Sequence, residues 1–130
     1  MPISSLPSPC GIGTLGAEAR KFAGFLAAAG QSCWQILPAG PTSYGDSPYQ
    51  SFSSFAGNPY FIDLDLLAED GLLEEAEYKN LNWGDDPRYV DYGLMYETRY
   101  PVLHKACDRL LAQDRPDFAV FCQEQKDWLE

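Results

Sequence analysis

The sequence predicts an α/β protein with a parallel sheet, and three observations favour this fold class. A helical pattern over residues 16–30 leads directly into a short apolar segment at residues 32–37. A second apolar run, at residues 59–67, follows a long loop, and the rest of the chain contains two further helical patterns. Because a helix joined by a tight turn to a buried strand is part of a parallel crossover unit, we expect parallel strands.

Length and charge limit the class of protein. The chain has 130 residues, which is enough for one domain with its own core. Its net charge is −10 and it has no basic cluster, so we expect neither nucleic acid nor a membrane surface as a partner. It contains no apolar run of membrane-spanning length and no signal-peptide pattern at its N-terminus. We therefore expect a cytoplasmic protein.

The first predicted elements are a helix over residues 16–30 and a strand over residues 32–37. Apolar residues spaced three and four apart give the helix one apolar face: Phe22, Phe25, Leu26 and Ala29. Gly30 suits the position after a helix, where a left-handed backbone is common. The strand carries Trp34 and Ile36 and is closed by Pro38, so we expect it to be buried.

The later elements are predicted to be mostly helical. Residues 59–67 predict a strand through Ile62 that turns into a helix capped by Asp63 or Asp65. Pro101 either begins the next helix or kinks a longer one. The apolar stripe of that helix is expected at Leu103, Cys107, Leu110 and Leu111. A last helix begins at Pro116, with a stripe of Phe118, Phe121 and Cys122 that Trp128 and Leu129 extend.

Several features that could indicate a reactive site have simpler interpretations. Nine acidic residues against Lys79 alone, over residues 63–86, predict a solvated helical surface. The four cysteines could form two disulfides, but reduced, buried thiols are the favoured interpretation without a signal peptide. They follow no zinc spacing, and we predict no metal site. The GIGTLG segment follows no strand, so it predicts a turn and not a nucleotide loop. His104 is expected at the surface or its boundary.

Residues 38–60, hereafter the site loop, have the composition of a sugar-binding segment. The loop follows the predicted strand at its carboxyl end, where α/β sheets and barrels bind ligands. Asp46 is its only charged residue, whereas a phosphate or carboxylate ligand would require Arg or Lys. Aromatic rings can cover the C–H faces of a pyranose, and neutral groups can bind its hydroxyls: Ser47, Gln50, Ser51 and Asn58. The alternative is a packed aromatic Ω-loop without a ligand.

Two segments carry a resemblance to a known family. The runs SLPSPCGIGTLG and GQSCWQILPAGPTSYGDSPYQSFSSFAGNPY resemble the N-terminal region of the 4-α-glucanotransferases, or amylomaltases, of glycoside hydrolase family 77. VDYG at residues 90–93 fits as well. The resemblance implies a partial (β/α)8 barrel, with the first αβ units in residues 1–67 and a mostly helical insertion in residues 68–130. It also implies retaining transfer of α-1,4-glucan segments among maltodextrins, starch or glycogen, with no cofactor.

The resemblance further implies roles for five side chains. Tyr49 is expected to stack on a donor-side glucose, with Ser47 and Gln50 nearby. Tyr44 and Tyr92 resemble tyrosines that form a second glucan-holding groove away from the catalytic centre.

The chain departs from the family in its length and in one motif. The family's catalytic Asp, Glu and second Asp lie downstream of the matched residues, and a barrel needs about 250 residues. Cys33 stands where a Tyr is common. We interpret Asp63 and Asp65 as helix-start carboxylates and predict no catalytic residue. The chain alone is therefore expected to be inactive and marginally stable or self-associating. A non-catalytic glucan-binding module and a non-binding structural domain are the alternatives.

Overall fold

The computed structural model describes residues 1–129, and in this range all regular secondary structure is helical. The α-helices are α1 (Ala17–Ala28), α2 (Leu64–Glu69), α3 (Tyr92–Leu111), α4 (Pro116–Glu124) and α5 (Lys126–Leu129). Three short 3₁₀ helices lie at Ile3–Ser5, Pro59–Phe61 and Glu75–Glu77. Loops and turns make up the rest.

The two predicted strands are wrong for the described residues. Residues 32–37 have no regular secondary structure, and Ile36 and Leu37 are 41 % and 39 % exposed. A strand requires hydrogen bonds to a neighbouring strand, and residues 1–129 contain no strand with which residues 32–37 could pair. The run before Ile62 is a 3₁₀ turn instead, since the Asn58 side chain caps it and Pro59 presets its backbone angle.

A small cluster of side chains holds residues 31–37 and α1 against the N-terminus. The Trp34 ring meets Phe22 edge-on, with 4.9 Å between centroids, and its Nε1 donates to the Met1 carbonyl at 2.7 Å. Ile3, Leu6 and Ala19 are the buried members of this cluster. Phe25, on the predicted apolar face of α1, is instead 64 % exposed. That face is thus covered in part: Phe22 and Leu26 are half-buried, whereas Phe25 and Ala29 are exposed.

The main core joins Tyr60, at the end of the site loop, to the Cys10 segment and to the middle of the chain. Its buried residues are Cys10, Ile12, Tyr60, Leu64, Leu72, Leu73, Tyr78, Trp83, Met95, Val102 and Ala106. α3 supplies Met95, Val102 and Ala106 from one face, and Arg99 lies buried on the same face. The predicted α3 stripe is wrong in part: Cys107 and Leu111 are exposed, whereas Leu103 and Leu110 are half-buried against the core. A search for apolar residues at helical spacing selects a neighbouring face of α3, because the buried face includes the charged Arg99.

The helix ends follow their local signals. Gly30 has φ of 72° after α1, and the Asp63 carboxylate caps α2 by accepting from the Leu66 amide at 3.1 Å. Pro116 is at the start of α4, as predicted, whereas Pro101 lies inside α3. These ends were predictable because each cap depends on one or two neighbouring residues.

The cysteines and the histidine lie mostly at the surface. All four cysteines are free, and only Cys10 is buried; burial raises the pKa of its thiol to about 11. Cys33 and Cys107 are exposed, so their predicted burial is wrong. His104 is exposed, as expected. Among residues 1–129, no helix is both long enough and apolar enough to cross a membrane.

Glu77 connects the acidic segment to α3. Its carboxylate accepts from the Arg109 guanidinium at 2.6 and 3.0 Å and lies 3.6 Å from Lys105 Nζ. It also accepts from the backbone amide of Glu74 at 2.9 Å. The hydrogen bonds from Arg109, followed by the one from Glu74, lower the pKa of Glu77 from 4.5 to about 2.

We expect the Glu77 carboxylate to make the stability of the folded chain depend on pH in the acidic range. Because the pKa of Glu77 is lower in the folded chain, its contribution is complete above pH 4.5 and is lost as pH falls toward 2. Between pH 6 and about pH 3, the midpoint of urea unfolding should therefore fall less in Glu77→Gln than in the original chain. The control is Glu75→Gln, which removes an exposed ion pair with Lys79 from the same 3₁₀ helix. An unchanged pH dependence in Glu77→Gln would contradict this role.

Candidate functional site

Backbone hydrogen bonds close the site loop at its base. The Asn58 amide donates to the Ala39 carbonyl at 2.8 Å, and its side-chain oxygen accepts from the Tyr60 amide at 2.9 Å. Farther out, Ser43 Oγ donates to the Gln50 carbonyl at 3.0 Å. The loop is thus held across its width as well as at its ends.

Most of the loop's neutral polar groups serve the loop itself. Ser51 Oγ donates to the Ser53 carbonyl at 2.7 Å, and Ser53 Oγ accepts from the Ala56 amide at 3.0 Å. Ser47 Oγ accepts weakly from the Tyr49 amide at 3.4 Å. Within residues 1–129, no group binds the Gln50 side chain, which is exposed. Of the four neutral groups expected to bind sugar, Gln50 is therefore the one without a hydrogen bond in this part of the chain, and Ser47 keeps its hydroxyl donor available.

The aromatic rings of the site loop point largely into solvent. Tyr44 is fully exposed, Tyr49 is 73 % exposed, and Phe52 and Phe55 are 77 % and 74 % exposed. Tyr49 and Pro48 line an open cavity of about 500 Å³ together with Gly40 and Ser51. Exposed rings beside a concave surface are available to stack on a ligand.

Tyr92 lies at a second cavity, which Pro48 also lines. It begins α3, and its ring is 6.0 Å from the buried ring of Tyr60. Tyr92, Asp46 and Pro48 line a separate cavity of about 80 Å³. Burial and the nearby Asp46 carboxylate raise the pKa of Tyr92, and burial raises that of Tyr60 to about 12.

The structure therefore separates the five residues expected at the site. Tyr49, Ser47 and Gln50 lie together on one turn, since the Gln50 amide donates to the Ser47 carbonyl at 3.1 Å. Tyr92 lies at the second cavity. Tyr44 projects from the loop and lines neither cavity.

Sequence reasoning missed two contributors. The Trp128 ring of α5 stacks on Phe55, with centroids 6.1 Å apart and planes inclined by 22°, so the end of the described chain returns to the site loop. Asp46 has φ of 54°, and it is the only residue besides glycines with a positive φ among residues 1–129. The Gly45-Asp46 pair was a sequence signal for the positive φ of Asp46, because Asp tolerates the left-handed conformation. The Trp128 contact has no local signal.

Other groups of acids have structural partners. Asp63 accepts from Thr14 Oγ1 at 2.5 Å besides capping α2, and Asp65 accepts from the Tyr78 hydroxyl at 2.6 Å. Asp63 thus caps the helix start, as predicted, whereas Asp65 lies in the first turn of α2 and binds Tyr78 instead of the helix backbone. A larger cavity, about 730 Å³, lies elsewhere, between residues 4–13 and 83–90. No group of three metal-ligating side chains occurs within the described part of the chain.

Exposed tyrosines and the available Gln50 amide, in a loop without Lys or Arg, have the chemistry that suits an uncharged ligand. A family model described as 4-alpha-glucanotransferase, glycoside hydrolase family 77, matches residues 1–130. The chain therefore belongs to the glycoside hydrolase family 77 4-alpha-glucanotransferases, which confirms the resemblance found in its sequence.

Individual relatives show how much of the family's length is present. The chain is 53 % identical to a 4-alpha-glucanotransferase from Clostridium butyricum, over all of this chain and 27 % of that protein. It is 49 % identical to one from Thermus thermophilus, over 98 % of this chain and 25 % of the relative. The chain thus spans about a quarter of the length of these curated relatives.

A solved structure shows a matching fold. The amylomaltase from Streptococcus agalactiae, solved in complex with acarbose, superposes with a TM-score of 0.91 and 48 % identity. The match covers 97 % of this chain and 26 % of that one. The chain therefore has the fold of one part of an amylomaltase, although its described residues are helical and form no strand.

Proposed function

We propose that this chain supplies the glucan-holding part of a 4-α-glucanotransferase that transfers α-1,4-glucan segments with retention of configuration. The observation that carries the proposal is the Tyr49 ring, which is 73 % exposed at the wall of a cavity. The site loop around it contains no Lys or Arg, so the surface suits an uncharged ligand. Tyr49 stacks on a glucose unit, and Ser47 and Gln50 lie beside it to bind hydroxyls.

Tyr44 and Tyr92 are proposed to hold a second stretch of glucan. Tyr44 is fully exposed, and Tyr92 borders a cavity distinct from the one beside Tyr49. Two separate cavities, both bordered by Pro48, allow two glucan segments to bind at once. The substrates proposed are maltodextrins, starch and glycogen, and the proposed location is the cytoplasm.

The finer architecture belongs to the same proposal. Residues 1–67 correspond to the first αβ units of a (β/α)8 barrel, and residues 68–130 to a mostly helical insertion. The exposed Ile36 and Leu37 support this arrangement, because a barrel strand at this position would bury its apolar side chains against neighbours. The catalytic acids are expected on other parts of the family's barrel, and this chain is assigned none.

A non-catalytic glucan-binding module is the second candidate. It is favoured by the main core, in which eleven side chains are buried against one another and against partly buried neighbours of this chain. Both candidates predict that this chain binds maltodextrins and does not transfer glucan. Glucan binding is thus the property that both candidates share, and it is the one to measure first.

Replacing Tyr49 by alanine should weaken binding of maltoheptaose to the 130-residue chain by about fivefold or more. The loss follows from removal of a stacking ring, worth roughly 1 kcal/mol by analogy with aromatic pairs. Stability should change little, because the ring is 73 % exposed. Isothermal titration calorimetry measures the affinity, and thermal melting measures the stability.

Tyr89→Ala is the matched control for this substitution. Tyr89 is 75 % exposed, nearly the same as Tyr49, but lines the 730 Å³ cavity, which no residue of the site loop lines. We expect its affinity for maltoheptaose to equal that of the unmodified chain. Equal losses in both variants, or a large drop in melting temperature for Tyr49→Ala with unchanged affinity, would contradict the proposed site.

A further inference from the structure

Asp46 has an unusual conformation for a residue with a side chain. Its φ of 54° is left-handed, and it follows Gly45 at φ of 90°. Its amide donates to the Ser43 carbonyl at 3.0 Å, which holds the turn in this shape. A left-handed conformation costs less at glycine than at aspartate. The side chain at position 46 is therefore retained despite a local cost, and such positions are often functional.

The Asp46 carboxylate has no internal partner that explains this cost. Within residues 1–129, no side chain or amide donates a hydrogen bond to it, and no Lys or Arg pairs with it. In contrast, Asp63, Asp65, Asp86 and Asp91 all accept hydrogen bonds from nearby donors. Asp46 is also half-buried and borders a cavity, so its acceptor capacity is available to a ligand bound there.

The surroundings of Asp46 indicate what it could bind. It lines the 80 Å³ cavity with Tyr92, Thr42 and Asn58, and the field of its carboxylate reaches both Tyr92 and Tyr60. The cavity wall thus combines an aromatic ring with a carboxylate that accepts hydrogen bonds and donates none. Neighbouring hydroxyl groups of a pyranose provide two donors that a carboxylate can accept together.

We propose that the Asp46 carboxylate accepts hydrogen bonds from hydroxyl groups of a glucose unit lying against Tyr92, and so adds an ionised acceptor to the proposed second glucan surface. This assignment rests on the proposed glucan binding. Asp46 acts as a binding residue, and its left-handed backbone directs the carboxylate into the cavity beside Tyr92.

Asp46→Gly separates binding from folding in the 130-residue chain. Glycine adopts the left-handed conformation more readily, so the melting temperature should be unchanged or higher. Affinity for maltoheptaose should fall about tenfold, since hydrogen bonds to a charged acceptor are lost. Asp46→Asn, which tolerates the same backbone and keeps one acceptor oxygen, should give a smaller loss. Calorimetry and thermal melting are measured on the same preparations.

The matched control is Asp85→Gly. Asp85 also follows a glycine with positive φ, Gly84 at 111°, but it is exposed and lies away from the site loop. Its variant should bind maltoheptaose like the unmodified chain. The inference is overturned if Asp46→Gly binds normally, or if it loses affinity only together with a fall in melting temperature. If Tyr49→Ala weakens binding while Asp46→Gly does not, this inference fails and the proposed function stands; if the unmodified chain does not bind, both fail.

Discussion

Replacing Arg99 by alanine should remove about 3–5 kcal/mol from the free energy of unfolding, which is a large part of the ~5–15 kcal/mol typical of a domain. Arg99 is completely buried on α3. Its guanidinium donates to the Ile62 carbonyl at 2.5 Å and to the Cys10 carbonyl at 3.3 Å. The substitution leaves both carbonyls without this donor and opens a cavity beside Trp83, whose ring centre is 5.8 Å from the guanidinium carbon.

Urea unfolding followed by tryptophan fluorescence measures this effect, with two comparison variants. Arg88→Ala removes an arginine whose side chain is 80 % exposed, and it should change stability by less than about 0.5 kcal/mol. Arg99→Met fills most of the space but supplies no donors, so its loss should be intermediate. Burial lowers the pKa of Arg99, which reflects the cost of placing a cation there. A methionine variant more stable than the original chain would show that this cost exceeds the value of the two hydrogen bonds.

Replacing Gly13 by alanine should cost about 2–3 kcal/mol or more. A Cβ atom at Gly13 would overlap the Ile3 carbonyl oxygen and would lie 2.7 and 2.8 Å from the backbone nitrogen and oxygen of Leu6. These are backbone atoms of the first turn, which Gly13 also contacts by donating its amide to the Ser4 carbonyl at 3.1 Å. The 3₁₀ turn at Ile3–Ser5 would have to move away from the core.

Gly24→Ala is the control for Gly13→Ala. A Cβ atom at Gly24 meets nothing within 4 Å, and the residue lies inside α1. Alanine should therefore raise stability there by roughly 0.5–1 kcal/mol, as expected for a helix interior. Thermal melting of both variants gives the comparison. Equal melting temperatures for Gly13→Ala and the original chain would mean that the first turn can shift at no cost.

The Arg99 substitution also affects the candidate site, because Arg99 binds backbone that supports it. Arg99 joins the Cys10 loop to Ile62, just after the site loop, and it lies on the helix that begins with Tyr92. A loss of glucan binding in an Arg99 variant would thus reflect displacement of the backbone around Cys10 and Ile62. This is why the substitutions at Tyr49 and Asp46, whose side chains support no core contact, are the sharper tests of binding.

The sequence by itself determined the features that depend on a few neighbouring residues. The Asp63 cap, the Gly30 stop and the Pro116 helix start each require only one or two residues in the correct order, and all three are present. The family was also determined, because the long segment around the site loop is specific. The exposure of Tyr49 agrees with the composition of that loop, in which glycines, prolines and serines leave rings without a core to enter.

Tertiary structure alone decided which apolar segments were buried and which polar groups stayed available. Ile36 and Leu37 have strand-like composition, but they are exposed because pairing and burial depend on partners that a local pattern does not specify. Arg99 occupies the core since two distant carbonyls accept from it, and Trp128 reaches Phe55 from the far end of the chain. Asp46 became a binding candidate for the same reason: only the folded chain shows that no donor reaches its carboxylate and that Tyr92 lies beside it.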